Sequence, residues 1–569
     1  MNLNITQINV LVVDDSPVIL SSIRRMLVKI GIQDNNIYHA KDPKAAIWHA
    51  RKISFELIIC DYNFHTKING KQVFDELKHY RLIQSKASFI IITGESSSKI
   101  VRSIIELSPD EYILKPFNSN FFLNKVKISL ERKSALYKIY ECKDQRKYQD
   151  GLLACDEAEF SNPKYHVLIQ KFRANFYSLL NMHKEAKELY QTIVVESDAE
   201  WANGGLADSL IELGDFSEAQ KIIGKMLDKM PNSSKALSLN AKYDIYNGDI
   251  PNAIKQYSIV SELAPGNPER ELIIANLCVS QGDFETAASR FMMYHDMNVG
   301  TYLESLEPRY NYIRCLLFIY DSKSTVDHLN QDIIKELQSI KSESVSEFQS
   351  VSMLRGKVDN ELIIDDAENV ETTHIEKELF MCHLAIIEGR LSEAVVLLKH
   401  IYKNNLADCF YDFYHFIYLL NKLNFHTEFN SLVNRTTSDI KASSESPMVV
   451  KSQLELIKSI VKHNQEQVKY IDEKFKLAQE LIGNKSESEA LELLIEIKNI
   501  NPYIREVNLS VITCLTSSWP TNFTGQKTKK LLKDCYNVCH QLYSDKEIAN
   551  LNIHELYSLA EAKTVKYSS

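Results

Sequence analysis

Glycine, alanine and proline recur in this chain at one fixed step. Gly214, Gly248 and Gly282 stand 34 residues apart. Ala207, Ala241 and Ala275 keep that step, as do Ala219, Ala253 and Ala287, and as do Pro231 and Pro265. Pro163 and Gly151 lie 68 residues, two steps, before Pro231 and Ala219. A period of this length means one supersecondary unit repeated, each copy burying its apolar face against its neighbours. The residue types say what the unit is. Gly-Asp pairs mark a turn between two helices, alanine lets helices cross closely, and proline stops the second helix before the next unit opens. The bulky Ile223, Tyr257 and Phe291, again 34 apart, fill the gap to the following unit. Five units fit between about 133 and 300, the second degenerate and a residue short around Ala186.

The pattern resembles tetratricopeptide repeats, whose period is 34. It is then lost. Residues 321–372 are rich in Ser, Asp, Glu and Lys, with one helical stretch near Asp332–Lys341. We read 301–372 as degenerate helices and a mobile connector. A repeat-like pair returns at Ile387–Ile401, where Gly389 and Ala394 keep the offset of Gly214 and Ala219. Ala478, Ala490 and Pro502 keep the offsets of Ala207, Ala219 and Pro231. Helices near Lys529–Tyr543 and His554–Val565 would cap the stack, since an end repeat has no neighbour. The expected organisation is therefore 1–132, 133–300 (first repeat block), 301–372 and 373–569 (second block with its cap).

Residues 8–132 carry a different signal. Apolar runs at Asn9–Val13, Asn36–Ala40, Phe55–Cys60, Ala87–Ile92 and Glu111–Leu114 alternate with amphipathic helical runs, the last near Ser119–Arg132. That alternation predicts an α/β domain with a five-stranded parallel sheet covered on both faces. Ser16–Pro17 reads as a helix N-cap with proline at the first helical position. No Gly or Pro interrupts Ser119–Asp150, so the last helix is expected to run on into the first repeat.

Polar residues stand where the strands end. Asp14–Asp15 follow Val10–Val13, Asp61 follows Leu57–Cys60, Thr93 follows Phe89–Ile92, and Lys115–Pro116 follows Tyr112–Leu114. Open α/β sheets build their sites at the carboxyl ends of strands. Three carboxylates around one point repel unless a hard cation sits among them, and Mg²⁺ suits oxygen ligands and phosphate oxygens. Lys115 would neutralise phosphoryl oxygens as a point charge, and Thr93 would donate a hydroxyl hydrogen bond. An aspartate in such a setting can act as a phosphoryl acceptor.

These positions resemble the receiver domain of bacterial response regulators, whose fold is flavodoxin-like. The resemblance covers 8–132. It implies that Asp61 is phosphorylated and that Asp14, Asp15, Asp61 and the backbone carbonyl of Asn63 hold Mg²⁺. It implies that Lys115 and Thr93 assist the transfer, that Thr93 and Tyr112 form a switch pair, and that Gly94 leaves the aspartate accessible. It implies a cis Lys115–Pro116 bond, which X–Pro pairs tolerate. One departure stands out. Phe64–His65 replace the usual Met-Pro, and Gly70 comes nine residues after Asp61 instead of eight, so this loop is one residue longer.

Bulk composition narrows the partners. The 569 residues are 44% hydrophobic and 25% charged, as in an ordinary globular protein, and too many for one domain. A net charge of −9 disfavours a general nucleic-acid binder. No apolar run approaches the roughly 20 residues of a membrane span, and the polar start Met1–Gln7 is no signal peptide. Ten scattered cysteines, with only Cys535 and Cys539 close, fit reduced thiols and a cytoplasmic location.

The expected function is a signalling adaptor that is not an enzyme beyond its own phosphorylation and dephosphorylation. By the same resemblance a sensor (hybrid) histidine kinase phosphorylates Asp61, and the solenoid binds or releases a protein. The architecture resembles auxiliary receiver–tetratricopeptide regulators, the VieB-type regulators of Vibrio, which implies modulated phosphotransfer to another response regulator. Receivers and solenoids both commonly dimerise, so a homodimer stays open. The alternatives are a catalytic output domain in the helical region and a receiver serving as a phosphate sink. No convergent acids, histidines or Gly-rich loops off strands appear after residue 132 to support catalysis. Ser488–Leu491 falls inside a repeat helix, His374, His383 and His400 lie on helical segments, and the aromatics of Tyr411–Tyr418 are expected to pack a core.

Overall fold

The computed structural model describes residues 5–107, 109–322, 375–404, 407, 409–520 and 523–568. The stretch Asp332–Lys341, most of the expected connector and His374 lie outside them. Two compact units emerge: Met1–Ile274 with Met293–Ser305, and Ala275–Met292 with Leu306–Ser569.

The first unit opens with an alternating domain. Its elements are β1 (Val10–Val13), α1 (Pro17–Lys29), β2 (Ile37–Ala40), α2 (Pro43–Lys52), β3 (Leu57–Asp61), α3 (Gly70–His79), β4 (Ser88–Thr93), α4 (Ser98–Leu107), β5 (Glu111–Leu114) and α5 (Ser119–Ala135). The strands are all parallel and ordered β2-β1-β3-β4-β5, a flavodoxin-like doubly wound sheet. β1, β3 and β4 are buried along their whole length, which is why they read as continuous apolar runs. Alternate residues feed two cores. Val10, Val12, Leu57, Ile59 and Ile90 pack on α1 and α5, whereas Leu11, Ile58, Cys60, Phe89 and Ile91 pack on α2 and α3. Ser16 stands at the N-cap of α1 but makes no side-chain cap bond.

Helix α5 does not run on. It ends at Ala135, and Leu136 takes φ −107° and ψ 19° before α6 (Tyr137–Asp144) begins. Packing overrides propensity here. Leu136 and Ile139 are buried in the core of the first repeat, while Lys133 is held by Asp110 at 3.1 Å and lies over the ring of Tyr140. A straight helix could not satisfy both.

Five helix pairs follow: α6 with α7 (Tyr148–Ser161), α8 (His166–Leu179) with α9 (His183–Glu196), α10 (Glu200–Glu212) with α11 (Phe216–Lys229), α12 (Ser234–Asn247) with α13 (Ile250–Leu263), and α14 (Pro268–Ser280) with α15 (Phe284–Asn298). Each pair turns on one left-handed residue: Arg146, Asn181, Gly214, Gly248 and Gly282. Glycine takes that conformation without strain, and arginine or asparagine takes it at some cost. The glycine period therefore starts only at the third pair. Ala186, Ala207, Ala219, Ala241 and Ala253 are fully buried where helices cross.

The second unit is helical throughout its described residues. It holds Glu307–Ser322, Ile375–Ile387, Leu391–Asn404, Phe410–Lys422, His426–Ala442, Pro447–Gly483, Glu487–Ile500, Arg505–Leu515, Gly525–Leu542, Asp545–Asn550 and Ile553–Ser568. Left-handed turns recur at Gly389, Asn424 and Lys485. The 37-residue helix Pro447–Gly483 has no counterpart in the 34-residue pattern. Tyr411, Phe413, Tyr414 and Phe416 are buried, so that aromatic stretch is core. All ten cysteines are free, and burial pushes the Cys535 and Cys539 thiols up to about 12. No helix among the described residues is long and apolar enough to cross a membrane.

Candidate functional site

The site forms where β1, β3, β4 and β5 end. Asp14 extends the β1–β2 ladder by one bond, its N–H donating to the Ala40 carbonyl. Its carboxylate Oδ1 accepts the Ser16 N–H at 2.9 Å, which fixes the side chain as the backbone turns into α1. Asp61 is the last residue of β3. Its Oδ1 accepts the Tyr62 N–H at 2.9 Å. Asp14 is 2% exposed and Asp61 9%, so both carboxylates sit at the bottom of the loops.

Carboxylate oxygens of Asp14, Asp15 and Asp61 lie within 4.8 Å of one another. Lys115 reaches in from the end of β5, its Nζ 2.9 Å from Asp14 Oδ2 and 3.1 Å from Asp61 Oδ1. The Lys115 N–H donates to the Thr93 carbonyl at 2.7 Å, and the Lys115–Pro116 peptide is cis. Burial raises the Asp61 carboxyl above its ordinary range; Lys115 opposes this and the Asp14 charge adds to it. Burial works to lower the Lys115 ammonium, but its hydrogen bond to Asp14 and attraction to Asp61 outweigh that and raise it. Lys115 meets two of the three carboxylates while Asp15 lies 3.9 Å from the exposed His65 ring, so the cluster carries more acid than Lys115 offsets.

Thr93 ends β4 and is 1% exposed; its Oγ1 accepts the Glu95 N–H at 3.0 Å. Asn63 is exposed, its amide 3.4 Å from Glu95 Oε1. Tyr112 is 38% exposed on β5, outside the carboxylate cluster. Hence Asp14, Asp15, Asp61 and Lys115 converge, Thr93 stands at the adjoining strand end, and Tyr112 points outward. A Cβ at Gly94 would meet nothing within 4 Å.

The long loop has a physical account. A Cβ on Gly70 would lie 2.2 Å from the Asp61 carbonyl oxygen and 3.0 Å from the Tyr62 Cα. Only glycine lets α3 start against the Asp61 backbone, and the Gly70 N–H donates to the Tyr62 carbonyl at 2.8 Å. Phe64 is buried in the α2–α3 core, so it anchors the loop from within. The extra length is taken up at the exposed residues 65–67, with His65 at φ +51°. Glu95, which bonds both Thr93 and Asn63, carried no signal in the sequence.

Residues 10–127 match the family described as the response regulator receiver domain. Solved structures similar to this part of the chain include receiver domains. A CheY-like receiver domain from Methanospirillum hungatei JF-1 is 23% identical, covering 22% of this chain and 95% of its own, with a TM-score of 0.20. The chemotaxis response regulator CheY4 of Vibrio cholerae is 24% identical, covering 22% and 100%, with a TM-score of 0.20. The receiver domain of the Francisella response regulator 1452 is 23% identical, covering 22% and 98%, again at 0.20. No curated protein matches the chain significantly.

The N-terminal domain is a response regulator receiver domain, followed by a long all-helical region. Such a domain implies exchange with a histidine kinase or another phosphodonor. Receiver domains generally bind Mg²⁺ at an acidic pocket, and the hard oxygen donors of Asp14, Asp15 and Asp61 fit that ion.

Proposed function

We propose that this chain is a phosphorylation-responsive signalling adaptor. Asp61 accepts a phosphoryl group from a histidine kinase, and the helical-repeat region binds or releases a protein partner. The uncompensated acid cluster, with Lys115 Nζ 3.1 Å from Asp61, carries the reading. An Asp61 carboxylate oxygen attacks phosphorus, the donor's P–N bond breaks, and the donor imidazole keeps the electron pair. The product is an acyl phosphate. Lys115 is placed to neutralise the oxygens that gain charge. Asp14, Asp15 and Asp61, with the Asn63 carbonyl, would hold Mg²⁺, which when bound offsets the phosphoryl charge.

The output is protein contact in this proposal. Helical hairpins stacked at a 34-residue step resemble tetratricopeptide repeats, and solenoids offer extended binding surfaces. The partner class that fits the receiver is another component of a two-component relay, and modulation of phosphotransfer to a second response regulator is the expected role. Thr93 and Tyr112 would act as the switch pair. The Asp61→Ala protein, offered labelled acetyl phosphate or the cognate phosphorylated kinase, should take up no label. Labelling at the wild-type level would remove Asp61 from its role.

A further inference from the structure

The receiver's α3–α4 face is already occupied by the chain's own repeats. Arg270, at the start of α14, places its guanidinium against both Glu106 oxygens of α4 at 2.9 and 2.8 Å. The same guanidinium donates to the Ala264 carbonyl at 2.7 Å, so it is fixed on the repeat side as well. Ser103 of α4 donates its hydroxyl to the Pro265 carbonyl at 2.6 Å. From α3, the Lys71 ammonium donates to the Gly266 carbonyl at 2.5 Å and the Gln72 amide to the Met297 carbonyl at 2.7 Å. Further along α3, His79 stacks on Tyr302 with centroids 3.8 Å apart and planes 15° from parallel. Every contact joins residues of the first compact unit.

Both gripping helices start in the phosphoryl site. α3 begins at Gly70, pressed on the Asp61 carbonyl with no room for a Cβ. α4 begins five residues after Thr93, whose hydroxyl holds the Glu95 N–H. A phosphoryl group on Asp61 adds charge and three acceptor oxygens beside those two loops. Drawing the Thr93 hydroxyl toward it gives up the Glu95 bond and moves the root of α4. The ion pair and the carbonyl contacts are set by position, so a shift of either helix breaks them.

We infer that the α3–α4 face and the segments 264–270 and 297–302 form an intramolecular latch that holds the receiver in its unphosphorylated state and opens when Asp61 is phosphorylated. This rests on the receiver reading above and goes beyond it by naming the contact through which the signal leaves the domain. Linkage makes the converse compulsory: whatever weakens the latch must strengthen binding of the phosphoryl group or its mimic by the same factor.

The probe is beryllofluoride with Mg²⁺ on the full chain, read by calorimetry and by amide hydrogen exchange. Exchange in α3, α4, 264–270 and 297–302 should rise on loading. Arg270→Glu should bind the mimic about tenfold more tightly, within the usual range of coupling between sites. The charge swap Glu106→Arg with Arg270→Glu should return the affinity toward wild type. Ser103→Ala, which deletes one bond and leaves the ion pair, should shift affinity the same way by a smaller factor; it keeps the test open if Arg270→Glu does not fold. Wild-type loading with unchanged exchange, or variants of unchanged affinity, would overturn the latch and leave the receiver reading intact. Failure of the wild type to bind beryllofluoride would overturn the receiver reading, and the latch with it.

Discussion

Two clusters of buried charge hold the chain's titratable groups out of water, and they are built on opposite plans. In the receiver, Asp14, Asp15 and Asp61 cluster at the ends of strands, and of the three the Lys115 ammonium meets Asp14 and Asp61. In the second unit, acid and base are matched. Arg314 pairs with Asp412, Lys422 pairs with Asp321, and Tyr418 donates to Asp321 at 2.6 Å. His383 and His415 lie ring to ring, Nδ1 to Nε2 at 3.0 Å, with Asp321 Oδ2 3.5 Å from the other His383 nitrogen. The first cluster is an acid surplus that wants a cation. The second is already neutralised, each charge meeting its partner inside the fold. Surplus marks a place where chemistry can happen, and balance marks a place where helices are held in register.

The difference predicts opposite signs for the same kind of substitution. Arg314→Leu should be the most damaging change, because it takes the guanidinium away from a fully buried Asp412 carboxylate. Removing one partner of a buried pair costs about 3–5 kcal/mol. Urea unfolding followed by hydrogen exchange in Phe410–Lys422 would read this, and a loss under about 1 kcal/mol would mean that the cluster is not balanced in the sense argued.

Gly70→Ala should come next. The new methyl group would meet backbone atoms of Asp61 and Tyr62, which cannot swing aside as a side chain can. A cost of about 1–3 kcal/mol is expected from overpacking, with slower phosphoryl uptake because the acceptor itself is displaced. Unchanged uptake from acetyl phosphate would show that α3 is not seated on the acceptor as described.

Asp61→Asn should move stability the other way. It removes a carboxylate whose charged form burial disfavours, and with it the repulsion between Asp61 and Asp14. The receiver should gain about 1 kcal/mol in metal-free buffer while losing phosphoryl uptake. A destabilised Asp61→Asn receiver would mean that Lys115 compensates the cluster fully, and the contrast between the two sites would fail.

What the sequence revealed follows the same divide. Strand ends and glycine turns are local events, so Asp14, Asp61, Thr93 and Lys115 could be placed by the apolar runs before them, and α10–α15 by the step of Gly214, Gly248 and Gly282. Arg146 and Asn181 make the same left-handed turn without the glycine that would announce it, which is why the first two pairs were blurred. The break at Leu136 came with the burial of Leu136 and Ile139 among the side chains of the first repeat, a tertiary demand that no helical propensity encodes. The grip of Arg270 on Glu106 joins residues 164 apart in sequence, and the pairing of Arg314 with Asp412 joins residues 98 apart. Buried polar pairs leave no periodic trace, because one residue on each helix is enough.

The smallest effect is a pH dependence confined to the histidine pair. Burial holds both rings below their ordinary value, His415 well below, with His383 and Arg314 adding to it; for His383, Asp321 pulls the other way. The folded state therefore keeps them neutral while the unfolded chain takes up protons below about pH 6.5. A depressed folded value means stability that is full above that pH and lost as pH falls. Each ring that stays neutral can contribute up to about 1.4 kcal/mol per pH unit. Between pH 6.5 and 5.5 each of the two rings should take about 1 kcal/mol from the second unit, since the first half-unit of pH protonates the unfolded chain only partly. His415→Gln should flatten that slope to about half by removing one of the two protons. Urea midpoints of Phe410–Lys422 measured across this range decide it. A slope that the substitution leaves unchanged would assign the acid sensitivity elsewhere and leave the histidine pair as packing alone.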